Sequence, residues 1–192
     1  MVKSSTQGSF HFPFLMFTFL GCMIGFGIWE YQRGWYDLVK RQLNLNCCVG
    51  KVALKLKQTL IRVESLNRKI IYFRALIACI IALTKDPFIQ KYQTILSGLA
   101  FAQDQILQLW KIEKIRWLVH RCGNPRIKVN PLPELRWIRP PADFIGPKPL
   151  EWEGDLPSAF WIQTSYFPRK SSAKVWKALE NEEDWKAEWA LP

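Results

Sequence analysis

The residues best suited to chemistry in this chain are three of its five cysteines, Cys47, Cys48 and Cys122. Two long helices are predicted between them, joined by a turn near residues 84–85. Folding the chain about that turn places Cys122 beside Cys47 and Cys48. A disulfide there would close a loop of about 75 residues and add several kcal/mol of stability, provided that the compartment is oxidising. The alternative is that all three thiols are buried as small apolar groups. We favour the disulfide, and leave open whether Cys122 pairs with Cys47 or with Cys48.

Other reactive side chains do not form a catalytic pattern. The two histidines are His11, in an apolar run, and His120, at a predicted helix end. No Cys/His spacing fits zinc, and the sequence has no nucleophile elbow and no Gly-rich phosphate loop. Acidic pairs such as Glu151 and Glu153 are typical of a solvated loop. We therefore predict a protein that is not an enzyme, with no catalytic residues, no metal site and no cofactor.

The strongest structural signal is the apolar run from Phe10 to Trp29, in which His11 is the only ionisable side chain. As a helix, these twenty residues are about 30 Å long, the thickness of the hydrocarbon core of a bilayer. An aromatic group with one arginine follows, as at a membrane-water interface: Trp29, Tyr31, Arg33, Trp35 and Tyr36. We predict a transmembrane helix over residues 10–30. Gly21 and Gly25 would let a second helix approach it closely.

Residues 31–123 are predicted to form a basic, antiparallel helical hairpin. Leu43-Asn44-Leu45-Asn46 indicates a soft break within this segment. A heptad stripe typical of a coiled coil then runs through Val49, Val52, Leu56, Thr59, Val63, Leu66, Ile70, Phe73, Ile77 and Ile80. Asp86 and Pro87 are a helix-start signal. A second stripe follows at Phe88, Tyr92, Ile95, Leu99, Ala102, Ile106 and Leu109, and drifts to Ile112, Ile115 and Val119. The stop signal is Gly123 with Asn124 and Pro125.

Residues 124–192 are rich in proline and tryptophan, and we predict an irregular region that packs back on the hairpin. Short β-like runs occur at residues 126–129, 135–138 and 160–166. Ser171 or Ser172 could cap a short terminal helix with Val175, Trp176 and Leu179 on one face. Trp185 and Trp189 are the candidate docking residues. The predicted fold is thus mainly α, with a transmembrane helix, a hairpin, this irregular region and a short final helix.

The N-terminal quarter, from Gln7-Gly8-Ser9-Phe10 to about Asn46, resembles type IV pilin-like proteins, in particular the small pseudopilins of tight-adherence systems. The resemblance implies a short leader over residues 1–9, with processing after Gly8. Pro13 stands where that family usually carries a glutamate. The resemblance further implies lateral packing with other membrane-anchored subunits, a cytoplasmic N-terminus and a periplasmic bulk.

The charge distribution gives a competing topology. Residues 31–123 carry 16 basic and 5 acidic side chains, whereas the segments on either side are neutral overall. The positive-inside rule would keep this basic segment in the cytoplasm. We interpret the chain as a single-pass inner-membrane assembly subunit, pilin-like or secretion-associated, with lipid and other anchored subunits or itself as partners. We favour the periplasm because of the cysteine alignment. The alternative is a cytoplasmic-facing scaffold whose basic helices bind anionic lipid or an acidic protein. Nucleic acid is not an expected partner.

Overall fold

The computed structural model describes residues 11–83, 89–120, 122, 124, 126–130, 132–166, 169–177 and 185–190. It is mainly helical. Helix α1 spans His11–Leu83 and helix α2 spans Ile89–His120. Six strands follow: β1 (Lys128–Val129), β2 (Trp137–Ile138), β3 (Glu151–Trp152), β4 (Ala159–Tyr166), β5 (Arg169–Lys177) and β6 (Trp185–Ala190). The predicted helix start at Asp86 and Pro87, the leader with Gly8, and Gly123 lie outside the described residues.

The described part of the chain divides into two compact units, Met1–Leu43 and Asn44–Pro192. In the first unit, every side chain from Phe12 to Asp37 is exposed, because the apolar run has no protein neighbour to pack against. One helix among the described residues is long and apolar enough to cross a membrane, and its apolar window lies near the N-terminus.

Helix α1 continues without interruption through residues 43–46, so the predicted soft break is wrong. Asparagine lowers helix stability by less than about 1 kcal/mol. Leu45, by contrast, is fully buried against Cys48 and Ile127, and burial of a leucine contributes about 1.5–3 kcal/mol. Asn46 also accepts a 2.8 Å hydrogen bond from the Ser171 hydroxyl. Packing in the second unit therefore outweighs the low helix propensity of the two asparagines.

The positions of the apolar stripe predicted for α1 are all buried or half-buried. Its fully buried members are Val49, Val52, Leu56, Val63, Ile70 and Ile77. Its other four positions, Thr59, Leu66, Phe73 and Ile80, are half-buried. Because the period of the stripe is close to that of a helix, one face of α1 can face its neighbours along this whole length.

The stripe predicted for α2 is one residue out of register with the buried face, although its members Tyr92 and Leu99 pack at the edge of a core cluster. The buried residues are Leu96, Ala100, Gln103 and Trp110, whereas Leu109, Ile112 and Ile115 are about 60% exposed. The register shifts because the buried face includes a polar residue. The Gln103 amide donates to Val63 O at 3.1 Å and to Asn67 Oδ1 at 2.6 Å. A pattern that counts only apolar residues cannot recognise that face.

The two helices contact each other in opposite sequence order. Ile70 and Ile77 share a core cluster with Leu96 and Ala100. Closer to the N-terminal end of this stretch of α1, Val63 and Asn67 contact Gln103, and Cys48 is joined to Cys122 just beyond α2. Late residues of α1 thus meet early residues of α2.

The C-terminal part contains a small antiparallel sheet, which corrects the predicted irregular region and terminal helix. The sheet order is β1-β4-β5-β6, and β2 pairs with β3. The predicted β-like runs at 126–129, 135–138 and 160–166 contain β1, β2 and most of β4. Residues 169–177 form β5 because Ser171, Ala173 and Val175 alternate inward, a period of two that fits a strand. Ser171 is buried in this strand and does not cap a helix.

The largest core cluster joins the sheet to both helices. Phe160 and Ile162 of β4, Val175 of β5 and Trp185 of β6 pack in it. From the helices it includes Val49, Val52, Ala53, Leu56, Leu60 and Trp110. The sheet covers the buried stripe of α1, which positions the segment between β1 and β4 alongside α2.

Candidate functional site

The membrane-packing candidates lie on an open helix surface. A Cβ atom added at Gly21 or Gly25 would have no neighbour within 4 Å. Residues four apart lie on the same face of a helix, so the two glycines form a shallow notch there. Such a notch permits close approach of a second helix in a bilayer.

An aromatic and cationic cluster follows the apolar run on α1. The Arg33 guanidinium lies over the Trp29 ring, 5.4 Å from its centroid, and Trp29 also contacts the ring of Phe26 at 5.9 Å. A cation stacked on an indole is suited to the headgroup region, where one side of the ring is apolar and the other is wet.

The structure joins Cys48 to Cys122, with their Cα atoms 5.6 Å apart and a sequence separation of 74. Cys48 is buried against Leu45 and Ile127, whereas Cys47 is exposed and free. The sequence left open which cysteine pairs with Cys122, and in the structure it is Cys48, on the buried face of α1. Cys22 and Cys79 are also free and exposed.

Trp185 does not serve as a docking residue in this fold. Its side chain is fully buried, and its ring lies 5.8 Å from that of Phe160 in the main core. Trp189 is in β6, and its side chain lies outside the described part. Its role in docking stays a prediction.

Among the described side chains of the sheet, Trp161 is an exposed tryptophan that the sequence did not single out. It is 52% exposed on the outer face of β4. The Lys174 ammonium of β5 lies 5.8 Å from its ring centroid and 5.3 Å from that of Trp176. The period-two alternation of β4 and β5 could have predicted this cluster of Trp161, Lys174 and Trp176. In β4 it separates the exposed Trp161 from the buried Phe160 and Ile162.

The side of α2 that faces away from the core is also apolar. We call it the outer α2 face; its members are Phe101, Leu109, Ile112 and Ile115, each 58–66% exposed. They recur at helical spacing over fifteen residues. Exposed apolar stripes of this kind are typical of protein or membrane contacts.

A cavity of about 600 Å³, which we call the α2 cavity, lies between α2 and the segment around β2. Its apolar lining includes Trp110, Leu135, Trp137 and Leu150. Its charged lining consists of Asp104, Lys111, Lys114, Glu134, Arg136 and Arg139. Four cations thus face two carboxylates, so the cavity carries excess positive charge.

Arg139 anchors one wall of this cavity. Its guanidinium donates to Asp104 Oδ1 and Gln103 Oε1, each at 3.0 Å, and to Lys148 O at 2.6 Å. Asn67 adds a second tie, because its amide exchanges two 2.8 Å hydrogen bonds with the backbone of Leu150. These contacts hold the Pro-rich segment in one position against the helices.

Arg74 fixes the next turn of the same segment. It donates to Asp143 Oδ2 at 2.6 Å and to Gly146 O at 2.7 Å. The hydrogen bond from Arg74 lowers the pKa of Asp143 from its ordinary 3.8 to about 2, with help from the backbone amides of Ile145 and Gly146. Gly146 has a φ of 131°, and an added Cβ would lie 3.0 Å from Leu96 Cδ2, so glycine is needed here.

A second cavity of about 730 Å³, the bridge cavity, lies beside the disulfide. Its lining includes the bridged pair, the free Cys47, and the exposed Lys51 and Lys55. Arg116 also lines it and forms an ion pair with Glu113 at 3.8 Å.

Among the described residues, no group of three or more His, Cys, Asp or Glu side chains could hold a metal ion. Comparison with protein-family models, with curated proteins and with solved structures finds no match.

Proposed function

We propose that this protein is a non-enzymatic, membrane-anchored assembly subunit, pilin-like or associated with secretion. Its first helix anchors it and packs laterally with other membrane helices. The part of α1 that follows the anchor forms an antiparallel hairpin with α2, this hairpin acts as a stalk, and the sheet caps that stalk. The proposed location is the inner membrane, with a single pass and a periplasmic bulk.

The observation that carries this proposal is the exposure of the apolar run. Its large side chains from Phe12 to Trp29 are 52–75% exposed around the whole helix. A core helix of a soluble protein would bury one side of such a run. In a bilayer, each central Leu, Ile, Phe or Val favours insertion by about 0.3–0.6 kcal/mol.

Two surfaces support the assembly role. The notch at Gly21 and Gly25 has no protein neighbour, so it is open to a second membrane helix. The outer α2 face is an apolar stripe on the other unit. Contacts with partners are a physical reason for keeping isoleucine, leucine and phenylalanine exposed on a helix that already has a core face.

The disulfide supports the periplasmic placement. Bridges persist in oxidising compartments and are rare in the cytosol. The Cys48–Cys122 pair is buried with Leu45 and Ile127, as is usual for a structural bridge. The basic charge of residues 31–123 opposes this placement, although a long domain can translocate despite its charge.

That charge is the observation favouring the second candidate, a cytoplasmic-facing scaffold. Lys51 and Lys55 are exposed and form no ion pair with any described residue. Each lysine near an anionic leaflet contributes about 1 kcal/mol of attraction. In this alternative, the basic helices bind lipid headgroups or an acidic protein.

The anchor is tested by fractionating cells that express the full chain. We expect the protein to sediment with membranes, to resist carbonate extraction and to dissolve in mild detergent. A Phe17→Arg/Ile24→Arg variant should shift toward the soluble fraction, whereas Tyr31→Arg, beyond the apolar run, should not. Full-length protein that stays in the supernatant without detergent would contradict the proposal.

Assembly is tested by substituting Gly21→Leu and Gly25→Leu and measuring complex size in the detergent extract. Filling the notch should reduce the fraction in large complexes several-fold. Gly34→Leu is the matched control, because it too has no neighbour within 4 Å but lies past the apolar run. Equal recovery from all three variants would count against lateral packing.

Topology is tested with a membrane-impermeant thiol reagent on spheroplasts, in a background of Cys22→Ser, Cys47→Ser and Cys79→Ser. A periplasmic bulk predicts labelling of Cys48 and Cys122 only after reduction. Labelling that requires lysis would place the bulk in the cytoplasm and favour the scaffold alternative.

A further inference from the structure

We propose that the α2 cavity binds a small amphipathic anion, with a phosphate or carboxylate head carried on an apolar body. This inference does not depend on the membrane proposal, because every residue it uses lies in the second unit. It rests on the volume, lining and charge of the cavity.

The size and walls of the cavity suit a small organic molecule. Its volume of about 600 Å³ lies within the usual range for ligand pockets, roughly 300–1,000 Å³. The rings of Trp110 and Trp137 and the side chains of Leu135 and Leu150 supply apolar contact area. Inorganic ions alone would leave these walls unused.

The charge balance selects an anion. Both carboxylates of the lining are already paired: Asp104 with Arg139 at 3.0 Å, and Glu134 with Lys114 at 3.2 Å. Lys111 and Arg136 remain, both exposed and without an ion pair to any described residue. An oxyanion between them would be held by charge-assisted hydrogen bonds.

Unpaired donors point the same way. Of the six buried side-chain polar atoms without a partner in the described part of the chain, three belong to lining residues: Trp110 Nε1, Trp137 Nε1 and Arg139 Nε. All three are donors, and unpaired buried donors are costly. They are covered by neighbouring atoms, so an anion that enters the cavity contacts Lys111 and Arg136 first.

Naphthyl phosphate is a suitable soluble probe, with an aromatic body and a phosphate head. Equilibrium dialysis would measure its binding to the full chain in nanodiscs of neutral phosphatidylcholine, with nanodiscs alone subtracted. We expect saturable binding that weakens as salt is added. Inorganic phosphate and neutral naphthol should each compete poorly. Competition by either one equal to that of the probe itself would overturn the proposal.

Variants locate the binding to this cavity. Lys111→Gln and Arg136→Gln should each weaken binding roughly tenfold, the effect of losing one charge-assisted hydrogen bond. Both side chains are exposed, so the fold should be unchanged. Lys55→Gln in the bridge cavity is the matched control and should bind normally. Gln108→Trp should reduce binding by narrowing the entrance. Unaltered binding in the first two variants, or equal loss in the control, would overturn the assignment.

A lipid headgroup and a soluble metabolite present the same chemistry. Short-chain dihexanoyl phosphatidylglycerol distinguishes them in the same dialysis. Displacement of the probe supports the site and assigns it to lipid. No displacement, with naphthyl phosphate still bound through Lys111 and Arg136, supports the site and assigns it to a soluble anion.

Discussion

Arg74 shows how one side chain on α1 can fix a segment without regular structure. Prolines prevent the segment around Asp143 from joining a sheet or helix, so its backbone carbonyls need other donors. Arg74 supplies donors to Gly146 O and Pro147 O and pairs with Asp143. The segment is thereby attached to the same helix whose other residues form the core.

We predict that the stability contributed by Asp143 depends on pH in the acidic range. Its pKa is about 2 in the fold and ordinarily 3.8, so the folded state favours the ionised form. The contribution is therefore complete above about pH 5 and is lost as pH falls through 4 toward 2. The measurement is the thermal unfolding midpoint of the wild type and of Asp143→Asn from pH 6 to 2.

The difference in thermal unfolding midpoint between the wild type and Asp143→Asn should be largest near neutral pH and should vanish near pH 2. Glu153→Gln is the control, since Glu153 is exposed and lies in the same Pro-rich region. A difference that stays constant down to pH 2 would show that charge on Asp143 is not the cause.

At the scale of elements, α2 carries apolar residues on two opposite faces. One face is buried at Leu96, Ala100 and Trp110, and the other is the outer α2 face. A helix that is apolar all round is usual where it is covered on all sides. The second face is thus part of the argument that this unit has partners.

The buried face of α2 predicts different stability effects for two alanine substitutions. Leu96→Ala should cost about 2–5 kcal/mol, because it leaves a cavity in the core. Leu109→Ala should change the free energy of unfolding by less than about 0.5 kcal/mol, because Leu109 is exposed. Chemical denaturation of both variants provides the measurement. If Leu109→Ala lowered the free energy of unfolding as much as Leu96→Ala, or more, the buried face would be the one that the apolar pattern predicts.

The buried faces of α1 and α2 differ in how well the sequence predicts them. The stripe of α1 was predictable because all but one of its ten positions are apolar and helical spacing is unbroken. The buried face of α2 was not, since Gln103 is acceptable there only because Asn67 and Val63 are placed to bond it. Strand β5 was mistaken for a helix because Ser171 and Ser172 also fit a helix cap followed by Val175 and Trp176 on one face.

The sequence predicted the disulfide only in part, and it did not predict the burial of Trp185 or the α2 cavity. The approach of Cys122 to the Cys47-Cys48 pair follows from folding two helices about a turn, but the choice of Cys48 depends on helix rotation. Trp185 was misjudged because a tryptophan near a chain end gives no sign of its burial until the strand pairing is known. The α2 cavity lies between segments distant in sequence, so no local pattern could indicate it.

For the whole molecule, the Cys48–Cys122 bridge joins the middle of α1 to the residue just beyond the end of α2. Closing a loop of this size reduces the entropy of the unfolded chain, which contributes about 4 kcal/mol in the chain-entropy model. Cys48→Ser and Cys122→Ser should therefore each lower the free energy of unfolding by a similar amount under oxidising conditions. Denaturation in urea, with and without reductant, measures it.

Cys47→Ser is the control and should leave stability within about 0.5 kcal/mol of the wild type, because Cys47 is exposed and unbridged. Reductant should bring the wild type close to the two bridge variants. A wild type unaffected by reduction, or a loss at Cys47 as large as at Cys48, would refute the pairing.

The packing of the sheet on α1 has a consequence for biogenesis. Asn46 and Ser171, which are hydrogen-bonded, are separated by 125 residues, and translation at 5–20 residues per second takes roughly 6–25 s to cover that interval. During that time the newly made core residues between Val49 and Leu60 have no strands to cover them. An apolar face left uncovered in this way favours aggregation, so we expect early cover by a chaperone or by a helix partner to raise the yield of folded protein.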